Sequence, residues 1–276
     1  MTTKTTFWDN KQHTVLVVEL VFYSILLVAS VGALLRRRQL SKGAILCSIS
    51  ALKISGCAVS VHAAIQTVNA INSQGATKYP SVSLVTTGAI LTSLATAPLI
   101  LLTRAFCPTG DLPQRFQKFI RITVIVPAII AIVGYNDWAN GGSSMTTGIA
   151  LVKASSILYL ALYLAFVASG LVMYLQVRNS ATRIESTGVF IVLLAMPFFL
   201  VRFIYVIASS FVLTTNMSAY HKFSFFNGDW RTSLSMFVVM EFVVEVIYCF
   251  GVHLLISRET ELTSVTDDGS VKMESA

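Results

Sequence analysis

The chain has 276 residues, of which 55% are hydrophobic and only 12% charged, with a mean hydropathy of +0.73. A soluble domain carries about twice that charge fraction, so composition excludes an ordinary water-soluble enzyme. The net charge of +7, from 20 Lys and Arg against 13 Asp and Glu, is spread between apolar runs and forms no single stripe, which argues for membrane orientation and against nucleic-acid binding.

A bilayer core requires about 20 mostly apolar residues per spanning helix. Seven segments meet that requirement: 14–35, 43–71, 82–104, 118–136, 147–177, 187–215 and 232–257. They predict an all-α fold, a polytopic membrane bundle of seven transmembrane helices over 14–257. A luminal N-terminal segment, 1–13, precedes it and a disordered, acidic cytosolic tail, 258–276, follows. The first span starts late and lacks the basic start and small-residue exit of a cleaved signal peptide, so it is expected to stay as a helix. Pro98, Pro127 and Pro197 fall inside spans three, four and six, where a membrane bundle tolerates kinks that open space between helices.

Basic residues set the orientation. Arg36, Arg37, Arg38 and Lys42 lie in or beside the first connection, Arg104, Arg115, Lys118 and Arg121 around the third, Arg178 and Arg183 in the fifth, and Arg258 follows the last span. The opposite side has Lys4, Lys11, Lys78, Lys222 and Arg231. By the positive-inside rule the N-terminus is luminal or exoplasmic and the C-terminus cytosolic, in the endoplasmic reticulum or the plasma membrane. Asn216-Met217-Ser218 is a glycosylation sequon on the luminal side, though so short a triplet arises nearly by chance. The sixth connection gathers Tyr220, Phe223, Phe225, Phe226 and Trp230, a density of rings that fits a folded-back lid or a segment in the headgroup layer. Cys47, Cys57, Cys107 and Cys249 are scattered without metal-ligand spacing, so they read as small apolar filler.

Six ionisable residues fall inside spans: Glu19, Lys53, Lys153, Arg202, Glu241 and Glu245. Each costs at least about 2.5–3.5 kcal/mol facing lipid near the midplane, so they are expected to face the bundle interior or a wet cavity. Glu241, Glu245 and Tyr248 share one face of the seventh span, and Arg202, Tyr205 and Ser209 one face of the sixth. The economical arrangement pairs Arg202 with Glu241 or Glu245, leaving the other carboxyl as a proton donor. Two plainer readings stand beside it: a buried Arg–Glu pair that only sets helix register, and Lys53 and Lys153 stems that snorkel to the interface.

Several familiar chemistries have no residues to carry them. The seventh span has no Lys for a retinal Schiff base, no HExxH occurs, and no Asp-rich pair lies in or beside a span. Neither a metal nor a cofactor is therefore expected. The acidic-Arg-Tyr and Asn-Pro-x-x-Tyr motifs of animal G-protein-coupled receptors are also missing: the third span ends Leu102-Thr103-Arg104-Ala105.

Val18-Glu19-Leu20-Val21-Phe22-Tyr23, Pro197 followed by Arg202-Phe203-Ile204-Tyr205, and Met240-Glu241-Phe242-Val243-Val244 with Gly251 together resemble a group of uncharacterised fungal seven-transmembrane proteins. Some compact fungal membrane proteins of this general look, encoded in natural-product gene clusters, are terpene cyclases. The resemblance implies protonation of an olefin or epoxide in a prenyl chain, as in secondary-metabolite biosynthesis. On that expectation Glu241, Glu19 or Glu245 is the general acid, while Arg202 and Tyr205 hold an electronegative group or orient the acid. Phe203, Phe226 and Trp230 offer ring faces to a carbocation, and Lys153 lines the same luminal pocket. The expected partners are membrane lipids and a hydrophobic small molecule, with no nucleic acid. A receptor or sensor of a small apolar ligand, and a lipid transporter or accessory membrane protein, fit the same residues.

Overall fold

The computed structural model describes residues 6–35, 40–74, 82–107, 114–177, 183–212 and 230–273. Runs of Leu, Ile, Val, Ala and Phe with few charges leave the backbone no partner in lipid except itself, and the helix is the local solution. Nine α-helices result among the described residues: α1 (Lys11–Leu35), α2 (Leu40–Gln74), α3 (Val82–Leu94), α4 (Thr96–Phe106), α5 (Gln114–Asn140), α6 (Ser144–Val177), α7 (Arg183–Val212), α8 (Trp230–Ser233) and α9 (Met240–Met273). No strand occurs among them.

Seven stretches are long and apolar enough to cross a bilayer: Lys11–Leu35, Leu40–Ser73, Thr86–Phe106, Ile122–Asn140, Ser144–Gln176, Ser186–Phe211 and Trp230–Ser257. These coincide with the seven expected segments, with boundaries moved by a few residues at most ends. Val28, Leu35, Phe190 and Phe250 are exposed, as expected where helices face lipid. The chain is an all-α, multi-pass membrane protein.

Third-span geometry follows from Pro98. Its ring removes one N–H and clashes with the carbonyl of the residue four back, Leu94, and α3 ends at Leu94 with a turn at Ala95 before α4 begins. α5 and α7, by contrast, run continuously through Pro127 and Pro197. The broken span places α4 at the centre of the bundle, against α2, α3, α5, α6 and α7, with Leu99, Ile100 and Leu102 fully buried. Around it the other spans pack in chain order, and the ring closes where α1 meets α9. Thr103 and Tyr248 join α4 to α9 by a hydroxyl hydrogen bond of 2.7 Å, and the Tyr248 ring stacks on Phe106.

Two further features depart from the sequence expectation. Between α8 and α9, Leu234–Val239 forms a π-helical turn. The acidic segment from Glu259, expected as disordered tail, continues α9 as helix to Met273, because a helix already nucleated in the bundle adds residues at little further cost. At the other end, Asp9 accepts the Thr6 N–H at 2.6 Å, and that hydrogen bond holds its carboxyl below the ordinary carboxylate range.

α5 and α6 form an antiparallel hairpin through Gly141 and Gly142, whose φ values of 69° and 63° belong to the left-handed region that glycine enters without steric penalty. Higher up, Gly134 faces Gly148 so closely that a Cβ on Gly148 would lie 2.5 Å from the Trp138 nitrogen and 2.6 Å from the Gly134 oxygen. Both obstacles are backbone. Gly148→Ala therefore forces the two helices apart and is expected to destabilise the protein by about 1–3 kcal/mol, read as a lowered melting temperature in detergent.

Candidate functional site

Four spans converge on one buried carboxylate. Glu241, at the start of α9 and fully buried, faces the Lys53 ammonium of α2 at 2.5 Å (Oε2) and the Arg202 guanidinium of α7 at 2.9 Å (Oε1). Glu19 of α1 joins through Lys53 at 3.9 Å. Arg202 Nη2 also donates to Thr96 Oγ1 at 2.8 Å, which fixes the guanidinium against the first turn of α4. At about 1.5 Å rise per residue, Glu19 lies about 12 Å along its helix from Lys11, Arg202 about 14 Å from Phe211, and Glu241 about 16 Å from Trp230. The cluster thus sits near mid-depth of a bilayer core about 30 Å thick.

Stripping ions of water at that depth costs several kcal/mol per ion, and only close opposite charges and hydrogen bonds offset it. Aromatic faces supply a further share. The Phe237 ring lies 4.9 Å from Lys53 Nζ and 5.3 Å from the Arg202 guanidinium carbon. Tyr23 flanks Lys53, and Phe199 and Phe203 flank Arg202. Glu245 lies one turn beyond Glu241 and is 1% exposed; its Oε1 has no hydrogen-bond partner among the described residues. Three carboxyls thus share the cluster with two cations.

Beside the cluster, in the half of the bundle that contains the N-terminus, a cleft encloses about 620 Å³ including its open mouth. Hydroxyls of Thr92, Thr96, Ser155, Ser156 and Tyr159 line it, with Arg202 and the rings of Phe203 and Phe237. Thr96, the first residue of α4, lies on this wall. The π turn carries Phe237, and such widened turns recur at functional positions. Arg202 and Phe237 belong to both cluster and cleft.

The structure brings together Glu19, Arg202, Glu241 and Glu245 from three separate spans, with Glu241 as the partner of Arg202. Phe203 lines the cleft. Tyr205 is buried on the far side of Phe237, 6.0 Å between ring centroids, and is not part of the cleft wall. Lys153 stands over the Phe211 ring at 4.8 Å, away from the cleft lining, and Trp230 sits at the end of its span between Lys11 and Arg231. Phe226 and Asn216 lie outside the described residues.

Sequence reasoning underestimated Lys53, which is 0% exposed. The signal was its depth, about 20 Å along the helix from Leu40, too far for its stem to reach the nearer interface. Thr96, Tyr159 and Phe237 were also missed, since hydroxyls and rings are common in membrane helices and only the fold collects these around Arg202.

A seven-span bundle with a charged centre and an adjoining cleft defines a class of polytopic membrane protein. Residues 10–258 match the family described as "Domain of unknown function (DUF7702)", and the chain belongs to that family. No curated protein and no solved structure matches it.

Removing one cation tests whether the cluster is one electrostatic unit. Lys53→Met leaves Glu241 and Glu19 undercompensated and is expected to cost about 3–5 kcal/mol, part of it recovered when Glu241→Gln is added. Thermal denaturation of the single and double variants in detergent measures the coupling.

Proposed function

We propose that the protein is a membrane enzyme of the terpene-cyclase kind, which takes an isoprenoid-like molecule from the bilayer into the cleft and cyclises it after protonation. The observation that carries this reading is the shared wall: Arg202 borders the cleft and is bonded to the carboxyl cluster behind it. With two cations against three buried carboxyls, one proton held by the cluster balances its charge, and Glu245, whose Oε1 lacks a hydrogen-bond partner among the described residues, is the candidate donor. Glu241, clamped by both cations, serves to position Arg202.

The carboxyls lie behind Arg202 and do not line the cleft, so in the proposed reaction the substrate must move in beside Arg202 before a carboxyl proton passes to its alkene carbon or epoxide oxygen. The neighbouring alkene electron pair closes the ring on the cationic carbon, and a proton lost from carbon restores a neutral product. The net change is an isomerisation that needs no co-reactant. Phe203 and Phe237 present ring faces to the passing cation.

On the positive-inside assignment the cleft opens in the luminal half and the basic connections face the cytosol. A second reading, a receptor for an apolar ligand, draws support from the linkage of Glu19, Lys53, Glu241 and Arg202 across four spans. A ligand that shifts Arg202 would alter how those spans pack.

Microsomes containing the chain, supplied with prenylated phenols and their epoxides and analysed by mass spectrometry, are expected to yield cyclised isomers of unchanged mass. Glu245→Gln is expected to reduce turnover at least 100-fold at normal expression. Full turnover by that variant would remove Glu245 as the acid, and binding without conversion would favour the receptor.

A further inference from the structure

Arg202 and Tyr159 line the cleft, and three of their polar atoms, Arg202 Nε, Arg202 Nη1 and Tyr159 Oη, are buried without a hydrogen-bond partner among the described residues. A buried donor left unsatisfied costs about 1–3 kcal/mol, so groups of this kind in a native site are normally met by water or by a bound molecule. The guanidinium nitrogens can only donate, and the phenol hydroxyl can donate as well as accept. The occupant must therefore offer oxygen lone pairs at this point.

The charge of that oxygen is constrained by what stands behind it. Glu19, Glu241 and Glu245 already exceed Lys53 and Arg202 by one negative charge when all are ionised, and Arg202 is the only charged residue lining the cleft among the described residues. A carboxylate or phosphate there would compete with Glu241 for Arg202 and add negative charge to a cluster with no positive charge to spare. A neutral acceptor satisfies the same N–H and O–H groups and leaves the Arg202–Glu241 pair in place.

We propose that the cleft recognises the neutral oxygen acceptor of an otherwise apolar molecule, a carbonyl or epoxide oxygen, and discriminates against carboxylates and phosphates. Arg202 and Tyr159 grip the oxygen, and the chain lies along Phe203, Phe237 and the apolar remainder of the cleft. This rests on the reading of the cleft as a small-molecule site and names the chemistry of the molecule's polar end.

The test compares four probes of equal chain on the purified full-length protein in detergent: a farnesyl methyl ketone, farnesoic acid, farnesyl diphosphate and the saturated hydrocarbon farnesane. The ketone is expected to raise the melting temperature and to bind at least tenfold more tightly than the acid or diphosphate. Tyr159→Phe, which keeps the ring, is expected to weaken ketone binding about five- to tenfold, the equivalent of one neutral hydrogen bond, and to leave farnesane unaffected. Equal or tighter binding of the acid or diphosphate overturns the proposal while leaving a small-molecule site. An unchanged ketone affinity in Tyr159→Phe overturns it as well. Failure of every probe to bind overturns both the proposal and the site. Selective ketone binding by a protein that cyclises nothing supports the proposal and removes only the enzyme reading.

Discussion

Everything distinctive about this bundle depends on one carboxylate, Glu241, held where water cannot stabilise it. A charge at mid-depth of a bilayer is tolerable only with countercharges in contact, and no neighbour on its own helix supplies one. Lys53 and Arg202 come from two other spans, and Glu19 from a third approaches through Lys53. Side-chain packing against lipid-like surroundings discriminates weakly between helix arrangements, since lipid tails are as apolar as leucine. A buried ion network discriminates strongly, because each misregistered helix leaves an unpaired charge. The network therefore specifies which faces of α1, α2, α7 and α9 meet.

The same constraint explains the shape of the third span. Pro98 breaks it at Leu94, and the shorter second piece, α4, lies at the centre and presents Thr96 to Arg202 at 2.8 Å. Thr96 gives the guanidinium a hydroxyl acceptor in addition to its carboxylate and also lines the cleft. A local backbone defect and a long-range charge pair are thus parts of one arrangement.

The seven spans were legible in the sequence because the bilayer imposes a length and a composition that no other environment imposes together. The six ionisable residues within spans, five of them buried, were legible for the same reason: each is conspicuous against its apolar run. Pairing was only half legible. The spacing of Glu241 and Glu245 gave their shared face but not which of them meets Arg202, and it gave no reason to bring Lys53 from the second span to the seventh. Helix periodicity states what shares a face; it does not state which faces meet. The π turn at Leu234–Val239 and the helical extension to Met273 likewise have no apolar signature that periodicity registers.

Arg202 links the two halves of the structure. Its Nη2 contacts Glu241 and Thr96, its remaining nitrogens have no hydrogen-bond partner among the described residues, and the residue lines the cleft. Anything bound by those nitrogens changes the field at Glu241, and any change in the protonation of the carboxyl cluster changes how strongly Arg202 polarises what it holds. Reciprocity of this kind follows from thermodynamic linkage. It serves an enzyme, in which the acid must respond to a seated substrate, and it equally serves a receptor, in which helix contacts must respond to a ligand. The two diverge in one physical respect: an enzyme needs a proton that leaves the cluster for the bound molecule and returns, whereas a receptor needs only the displacement of a charge.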